Sequence, residues 1–587
     1  TTMKTALKIS LTGAASAVFL LGCASMGDSA LPQLKAATPA ALQINCSDVA
    51  AKFNYANMRI TASSSVAVGN VATSGAPNAP KTAYDAPAHC LVKGVMNERV
   101  GTDGKNYAIN FEMRLPNAWN GRFYHQVNGG LDGVVQPALG ALGALGALGG
   151  GPLTGALHQG FAVISSDAGH SGSQNPSFGA DPIARQDYGY GAVAKLTPMA
   201  KGLIAAAYGK APDRSYIGGC SNGGRHTMVA ASRFGDQYDG FLAGAPGYRL
   251  PQAALAQVWG SSQWRALAPE VPLAQSTLTH PFVPTLKIPD ISLGFTSQHR
   301  QTVADAILAK CDALDGAKDG IVQDVAACQR AFDVVRDVPS LSAAQKATIA
   351  AVFAGGKTSD GKALYANFPF DPGLVSANWA AWKYQNAQAL DPGALSFIFT
   401  SPLRTVKAFD TNFEELHAGI YAKPAGFSES SDETINPAGY DKPRYMAALQ
   451  QRGAKMITYH GVSDGVFSEL DTRAWIDRVA GQMAGSSNTV RHFSVPGMAH
   501  CSGGPATDQF DPLTPLVQWV EQGIAPEAIK ATARGAGNAG GVNAELPKDW
   551  ATNRSRPLCA YPTVARYKGS GSVDDAANFT CTAVPKP

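Results

Sequence analysis

The sequence predicts an α/β fold: a mostly parallel, doubly wound sheet interrupted by one large insertion. Three observations carry this. Short apolar runs alternate with helical stretches between residues 106 and 246, the pattern of a parallel sheet covered on both faces. The alternation stops after Tyr248 and resumes at Lys455. A glycine-framed turn, Gly219-Cys-Ser-Asn-Gly-Gly224, joins one of the strands to a helical stretch.

The elements follow in order. Residues 40–105 are mixed and lack a strong period. Tyr107, Ile109, Phe111, Met113 and Leu115 alternate with mostly polar residues, which reads as a half-buried strand. Phe161-Ala-Val-Ile-Ser-Ser-Asp167 is a buried-strand run. Between them, residues 138–151 repeat Ala-Leu-Gly and end in glycines, a loop or weak helix without chemistry. A helix is expected over 196–208, a strand over 214–218, a helix from Arg225 and a strand over 239–246. The stretch that follows is rich in Pro, Ala and aromatics with helical patches, and reads as an inserted lid domain over 249–450. Strands return at 455–460 and 490–495, and residues 510–522 read as an amphipathic closing helix. The core thus comprises residues 40–248 and 451–587.

Hydrophobic residues make up 45% and charged residues 16%, a globular composition. The net charge is only +4, so neither nucleic acid nor an anionic membrane surface is the expected partner. The expected partner is a small molecule, and a monomer is the expected state. Lys4 and Lys8 precede an apolar stretch at 9–21 that is short for a membrane span and ends in Leu20-Leu21-Gly22-Cys23. This pattern is similar to a bacterial lipobox. It implies a signal peptide over 1–22, acylation of Cys23 and a tether over 23–39. The protein would be secreted, as a periplasmic or outer-membrane lipoprotein touching membrane only through that anchor. An ordinary signal peptide with an incidental cysteine is the plainer reading.

Setting Cys23 aside leaves eight of the nine cysteines, in a compartment that permits disulfides. Eight cysteines allow 105 pairings, and spacing alone does not choose. Cys311 and Cys328 are close in sequence, as are Cys559 and Cys581. Cys46 and Cys90 both precede the glycine-framed turn, and Cys220 and Cys501 remain.

Gly219-Cys220-Ser221-Asn222-Gly223 matches a nucleophile elbow, G-x-S-x-G. The turn from strand to helix is too tight for a Cβ at either flank. It lifts the Ser221 hydroxyl above the sheet and sets the Asn222 N–H at a helix start. A serine nucleophile needs a base, and the base an orienting acid. In α/β-hydrolases the order along the chain is Ser, then Asp or Glu, then His. Past the strand at 455–460 comes Asp464, and past the strand at 490–495 comes His500. Each is common singly, as a turn cap or a loop histidine. In order, each beyond its own strand, they form a candidate triad with Ser221. If Ser221 bonds His500, the neighbouring Cys220 and Cys501 are drawn within disulfide reach. A second oxyanion donor is expected from the loop Phe123-Tyr-His-Gln-Val-Asn-Gly129-Gly130-Leu-Asp-Gly133, at the Gly130 N–H. Asp312, Asp315 and Asp319 fall in a loop with two Asp-Gly steps, a density of hard oxygen that suits Ca²⁺, although not with EF-hand spacing. A pair of Asp-Gly turns is the plainer alternative.

With the elbow Gly-Cys-Ser-Asn-Gly-Gly and the segment Val495-Pro-Gly-Met-Ala-His-Cys-Ser-Gly-Gly-Pro505, the chain resembles the tannase and feruloyl esterase family. Tyr459-His-Gly-Val-Ser-Asp464, Asp511-Pro-Leu-Thr-Pro-Leu-Val-Gln-Trp-Val520 and Arg556-Pro-Leu-Cys-Ala-Tyr-Pro562 extend the resemblance from about residue 90 to the C-terminus. The resemblance implies a lidded α/β-hydrolase that cleaves esters of aromatic acids. It implies the Ser221, Asp464, His500 triad with the Cys220–Cys501 bridge beside it, and oxyanion donors at Gly130 and Asn222. It also implies a structural Ca²⁺ in the lid, held by Asp312, Asp315, Asp319 and the carbonyls of Ala317 and Ile321. His460 and Phe467 fall at substrate-pocket positions. The place of a lid arginine that holds a substrate carboxylate in one family member has only Arg404 as a candidate here. The resulting expectation is a serine carboxylesterase working through an acyl-enzyme on feruloyl, galloyl or mono(2-hydroxyethyl) terephthalate esters. Lid aromatics such as Trp379, Trp382, Phe397 and Phe399 would pack the acyl part. The alternatives are a peptidase or acyltransferase using the same triad, and a surface lipoprotein that binds aromatic ligands without turnover.

Overall fold

The computed structural model describes residues 31–141 and 155–584. The expected signal peptide, Cys23 and most of the Ala-Leu-Gly tract lie outside the described residues. Nine strands form the central sheet: β1 (Met58–Val66), β2 (His89–Val100), β3 (Asn106–Pro116), β4 (Arg122–Gln126), β5 (Ala162–Ser166), β6 (Arg214–Cys220), β7 (Gly240–Gly244), β8 (Lys455–Gly461) and β9 (Val490–Val495). Their spatial order is β9-β8-β7-β6-β4-β5-β3-β2-β1. The six strands from β9 to β5 are parallel, and β3, β2 and β1 continue the sheet antiparallel.

The six parallel strands are buried almost throughout, because both of their faces are covered. Neighbouring residues in each strand go to opposite cores. Phe123, Ile217, Phe241 and Met456 pack on one face with helix α1 (Ala192–Tyr208) and with Trp475 and Val479. Tyr124, Tyr216, Leu242 and Ile457 pack on the other, beneath Leu516 and Trp519. Helix α2 (Asn222–Arg233) follows the elbow directly, three residues before the expected start. The insertion runs from the end of β7 to the start of β8 and includes α3 (Leu250–Leu267), α4 (Ser297–Cys311) and α5 (Ala343–Ala354). Its apolar side chains form a cluster continuous with Tyr107, Phe178, Tyr188 and Phe467 of the flanking chain, in which Trp264 packs against Phe295, Trp379 and Tyr384 with ring centroids 5.4, 6.4 and 5.6 Å away. Helix α6 (Glu469–Gln482) and the closing helix α7 (Leu513–Gln522) complete the layers. Helix α7 begins later than periodicity suggests because Asp511 Oδ1 accepts the Leu513 and Thr514 N–H groups and stops the turn there.

The early region without a clear period contains two long strands, β1 and β2. Strand β1 lies at the sheet edge; Met58 and Ile60 are half-buried against the core, but the alternation gives way to Ser63-Ser64-Ser65, too short a pattern to mark the strand. In β3 the alternation holds only at its start; from Phe111 onward every residue is buried. Residues 33–38, read as tether, lie bonded to the core: Gln33 Nε2 donates to the Val520 carbonyl (2.9 Å), and the Ala37 and Thr38 N–H groups to Glu521 and Asp213 (2.9 and 2.8 Å). Four disulfides join Cys46–Cys90, Cys220–Cys501, Cys311–Cys328 and Cys559–Cys581. Among the described residues, no helix is long and apolar enough to cross a membrane.

Candidate active site

Strand β6 delivers Ser221 into a strained turn, with φ 67° and ψ −126°. Such a conformation costs about 1–3 kcal/mol and persists only where its surroundings hold it. Three backbone bonds do so here: Ser221 N–H to the Gly244 carbonyl (3.0 Å), and Arg225 and Gly247 N–H groups to the Ser221 carbonyl (3.1 and 3.3 Å). The flanking glycines are required by close approach. A Cβ on Gly219 or Gly223 would lie 2.1 or 2.4 Å from the Val127 carbonyl oxygen.

The ends of β8 and β9 bring the other two residues to the serine. Ser221 Oγ lies 2.8 Å from His500 Nε2, and His500 Nδ1 lies 2.7 Å from Asp464 Oδ2. Asp464 Oδ1 accepts the Val466 and Phe467 N–H groups, both at 2.9 Å. Burial pushes the Asp464 carboxyl up, but the His500 charge and the hydrogen bonds from His460 and His500 outweigh it. They hold the group well below the usual carboxylate range. The arrangement supplies a nucleophile, a base with its second nitrogen fixed, and an ionised acid. The Cys220–Cys501 bridge, with Cα atoms 6.3 Å apart, joins the residues next to the nucleophile and the base.

The two backbone N–H groups expected as oxyanion donors, those of Asn222 and Gly130, donate to no acceptor among the described residues. The Asn222 N–H is at the first position of α2, where no intrahelical acceptor exists. Gly130, at φ 64°, has open space where a side chain would start. A helix start and a polarised loop N–H are the means by which an acyl-transfer site stabilises a developing oxyanion.

The remaining expected residues divide. Phe467 and Trp382 stand edge-on to the His500 ring, with centroids 5.3 and 5.0 Å away. His460 is fully buried behind the acid, bonding Asp464 Oδ2 (3.1 Å), the Phe467 carbonyl and Thr472, so it supports the triad from behind. Trp379 and Phe399 are buried in the lid core, and Phe397 packs against that core. Arg404 pairs with Glu415 at 2.5 Å. Sequence reasoning missed two lid residues that reach the triad loops. The Asn378 amide bonds both the His500 carbonyl (3.1 Å) and the His500 N–H (3.3 Å). Asp371 Oδ1 accepts from Ser463 Oγ and from the Gly497 N–H, tying the acid and base loops together. Neither residue has a local signature, since each partner lies about a hundred positions away.

The acidic loop at 312–321 lies between the Cys311–Cys328 bridge and the C-terminal strands. Asp312 accepts the Asp319 and Gly320 N–H groups, Asp315 those of Ala317 and Gln323, and Asp319 pairs with Arg556. Among the described residues no three carboxylate, imidazole or thiol groups converge as a metal set. The donor chemistry nevertheless suits a hard cation. Burial, with Asp319 and Asp312 nearby, pushes the Asp315 carboxyl up to about 7. The carbonyls of Ala317 and Ile321, both buried residues, accept no hydrogen bond from the described residues.

Comparison with known proteins agrees with this fold. The family model for tannase and feruloyl esterase matches residues 90–582. The chain is 37% identical over 559 residues to the mono(2-hydroxyethyl) terephthalate hydrolase of Piscinibacter sakaiensis, covering 86% of this chain and 87% of that protein. It is 27% identical over 496 residues to a probable feruloyl esterase B-1 of Aspergillus fumigatus, covering 80% and 82%. Among solved structures, feruloyl esterase B from Aspergillus oryzae superposes with a TM-score of 0.69 at 24% identity, covering 92% of this chain and 99% of that one. Tannin acyl hydrolase from Aspergillus niger gives 0.63 at 19% identity, covering 93% and 97%. At these identities the two structures speak for the fold.

Proposed function

The chain belongs to the tannase and feruloyl esterase family and is a carboxylic ester hydrolase; from that premise we propose that it cleaves aromatic-acid esters through a serine acyl-enzyme. The observation that carries this reading is the unbroken hydrogen-bond chain from Ser221 Oγ through His500 to Asp464. Ser221 Oγ attacks the ester carbonyl as its proton passes to His500 Nε2, and the carbonyl oxygen takes up negative charge beside the Gly130 and Asn222 N–H groups. Collapse breaks the bond to the alcohol, which leaves with the proton from His500. Water, deprotonated by the same nitrogen, then releases the aromatic acid and restores Ser221. A fluorophosphonate probe tests this directly: it should label Ser221 alone, found by mass spectrometry of the digest, and label elsewhere or none would refute it.

The acyl group packs against Trp382 and Phe467, the aromatic rings beside His500. A substrate carboxylate buried there would need a cation, because an unpaired buried charge costs several kcal/mol. Arg404 is committed to Glu415, and Lys383, next to Trp382, turns its ammonium to Gln257 (3.0 Å) and the Phe368 ring. Esters of neutral phenolic acids should therefore outperform the terephthalate monoester. Comparing kcat/KM for methyl ferulate, methyl gallate and mono(2-hydroxyethyl) terephthalate on one preparation decides it. A terephthalate preference that Arg404→Ala abolishes would reverse the ranking.

The acidic loop is proposed to hold a structural Ca²⁺ through Asp312, Asp315 and Asp319 with the Ala317 and Ile321 carbonyls, Asp319 then sharing or leaving Arg556. Calcium at about 100 times its Kd should add about 2.7 kcal/mol of stability. Metal-stripped protein should show Tm rising with added Ca²⁺, and Asp315→Ala should remove the response; a flat titration in the parent refutes the site. The four disulfides indicate an oxidising compartment, and the lipobox pattern supports export with lipid attachment at Cys23.

A further inference from the structure

Beneath the two oxyanion donors lies a buried polar cluster that the triad does not use. Asp132 sits two residues past Gly130, at φ 56°, and its N–H closes a tight turn onto the Gly129 carbonyl (3.2 Å). Its Oδ2 accepts from Asn222 Nδ2 and from His226 Nε2, both at 2.8 Å. Asn222 Nδ2 also reaches the Asn128 carbonyl (3.2 Å), and its Oδ1 accepts from Arg225 Nε (2.7 Å). The amide can sit only one way round, since a carboxylate only accepts and a guanidinium only donates. The Arg225 guanidinium is anchored in turn on the carbonyls of Tyr188, Gly189 and the lid residue Ile435 (2.9, 3.0 and 2.8 Å). On the loop side, His170 Nε2 donates to the Leu131 carbonyl (2.7 Å), its ring flat against Phe178 at 3.6 Å.

Every one of these side chains is buried, and no cation contacts the Asp132 carboxyl directly, since burial and the neighbouring Arg225 hold His226 well below the ordinary histidine range. An apolar side chain would fill such a place without the cost of burying a charge. What the carboxylate adds is a fixed link between two backbone segments, the Gly130 loop and the start of α2. We propose that Asp132 is a positioning residue for the oxyanion hole: it ties the Gly130 loop to Asn222 and so holds the two backbone N–H groups at the spacing that the tetrahedral oxygen requires. The inference rests on the reading of Gly130 and Asn222 as the oxyanion donors. Those donors must lie within about 2.7–3.1 Å of the developing oxyanion, and a misplacement near 1 Å costs on the order of 100-fold in rate.

The test compares Asp132→Ala, Asn222→Ala, their double variant and Asp132→Asn, with methyl ferulate as substrate and phenylboronic acid as the tetrahedral analogue. Asn222→Ala keeps the backbone N–H while cutting the same link from the other side, so it carries the test if Asp132→Ala does not fold. Each alanine variant should lose roughly 10- to 100-fold in kcat, with KM changed less than about threefold and boronate affinity falling in step with kcat. The double variant should lose no more than either single one, because both cut one connection. Asp132→Asn, which keeps an acceptor oxygen, should stay within about fivefold of the parent. Retention of kcat within about threefold in both alanine variants, or a rise in KM with kcat unchanged, would overturn the proposal. So would additive losses in the double variant. A Ser221→Ala control separates the two levels: if that variant keeps its activity, the serine mechanism itself fails, whereas an inactive control beside an active Asp132→Ala refutes only the role of Asp132.

Discussion

Ser221→Ala should fold as the parent does and lose at least about 10⁴-fold in kcat for every ester the parent cleaves. The hydroxyl is the atom that must form the acyl bond, and its hydrogen bond goes to His500. Removing Oγ leaves the strained turn intact, because alanine faces the same positive φ and the same three backbone bonds hold it. Residual rate would reflect binding and the oxyanion donors alone. Initial rates on methyl ferulate, alongside a thermal melt to verify the fold, measure it. Activity within tenfold of the parent would mean that another group supplies the nucleophile.

Asp464→Asn should cost nearly as much, about 10⁴-fold in kcat, by fixing the wrong tautomer of His500. The reason is local. Asp464 Oδ1 accepts two backbone N–H groups, so the amide oxygen of the variant must stay at that position. Its NH₂ is then placed where Oδ2 was, facing His500 Nδ1 and His460 Nε2. His500 can accept that bond only with its proton on Nε2, and an Nε2–H cannot take the proton of Ser221. Stability should change with a defined sign as well. A carboxyl held below its ordinary pKa stabilises the fold above about pH 4 and loses that contribution as pH falls further. The acid limb of an unfolding-versus-pH curve should therefore be shallower in Asp464→Asn. A variant with kcat within tenfold of the parent would show that Asp464 does not set the tautomer.

Much of this site was legible because its parts are local in sequence. The elbow is five consecutive residues whose glycines are demanded by a carbonyl 2.1–2.4 Å from where their side chains would start. Asp464 and His500 follow the strands that carry them, and short runs rich in β-branched and aromatic residues mark those strands. Once Ser221 and His500 are adjacent, Cys220 and Cys501 are too. The early edge strands were not legible, because in β1 the alternation of Met58 and Ile60 gives way at once to Ser63-Ser64-Ser65 and no residue of the strand is fully buried. Trp379 and Phe399 carry the same signal as pocket aromatics, and only packing shows them in the lid core while Trp382 meets His500.

The sequence by itself determined the sheet that carries the elbow, the identity and order of Ser221, Asp464 and His500, and the pairing that links the first and last of them. The elbow is marked by its glycine spacing, Asp464 and His500 by their order past two strands, and the Cys220–Cys501 pairing by the contact that Ser221 and His500 require. Only the tertiary structure decided how those residues are held. Asn378 on the His500 backbone, Asp371 between the acid and base loops, and Asp132 under Asn222 are single polar residues bonded to partners about a hundred positions away. A lone Asp or Asn has the same local signature in a turn, a cap or a buried network; which it becomes depends on the chain folded against it, where burial leaves a polar group no partner but the one the fold supplies.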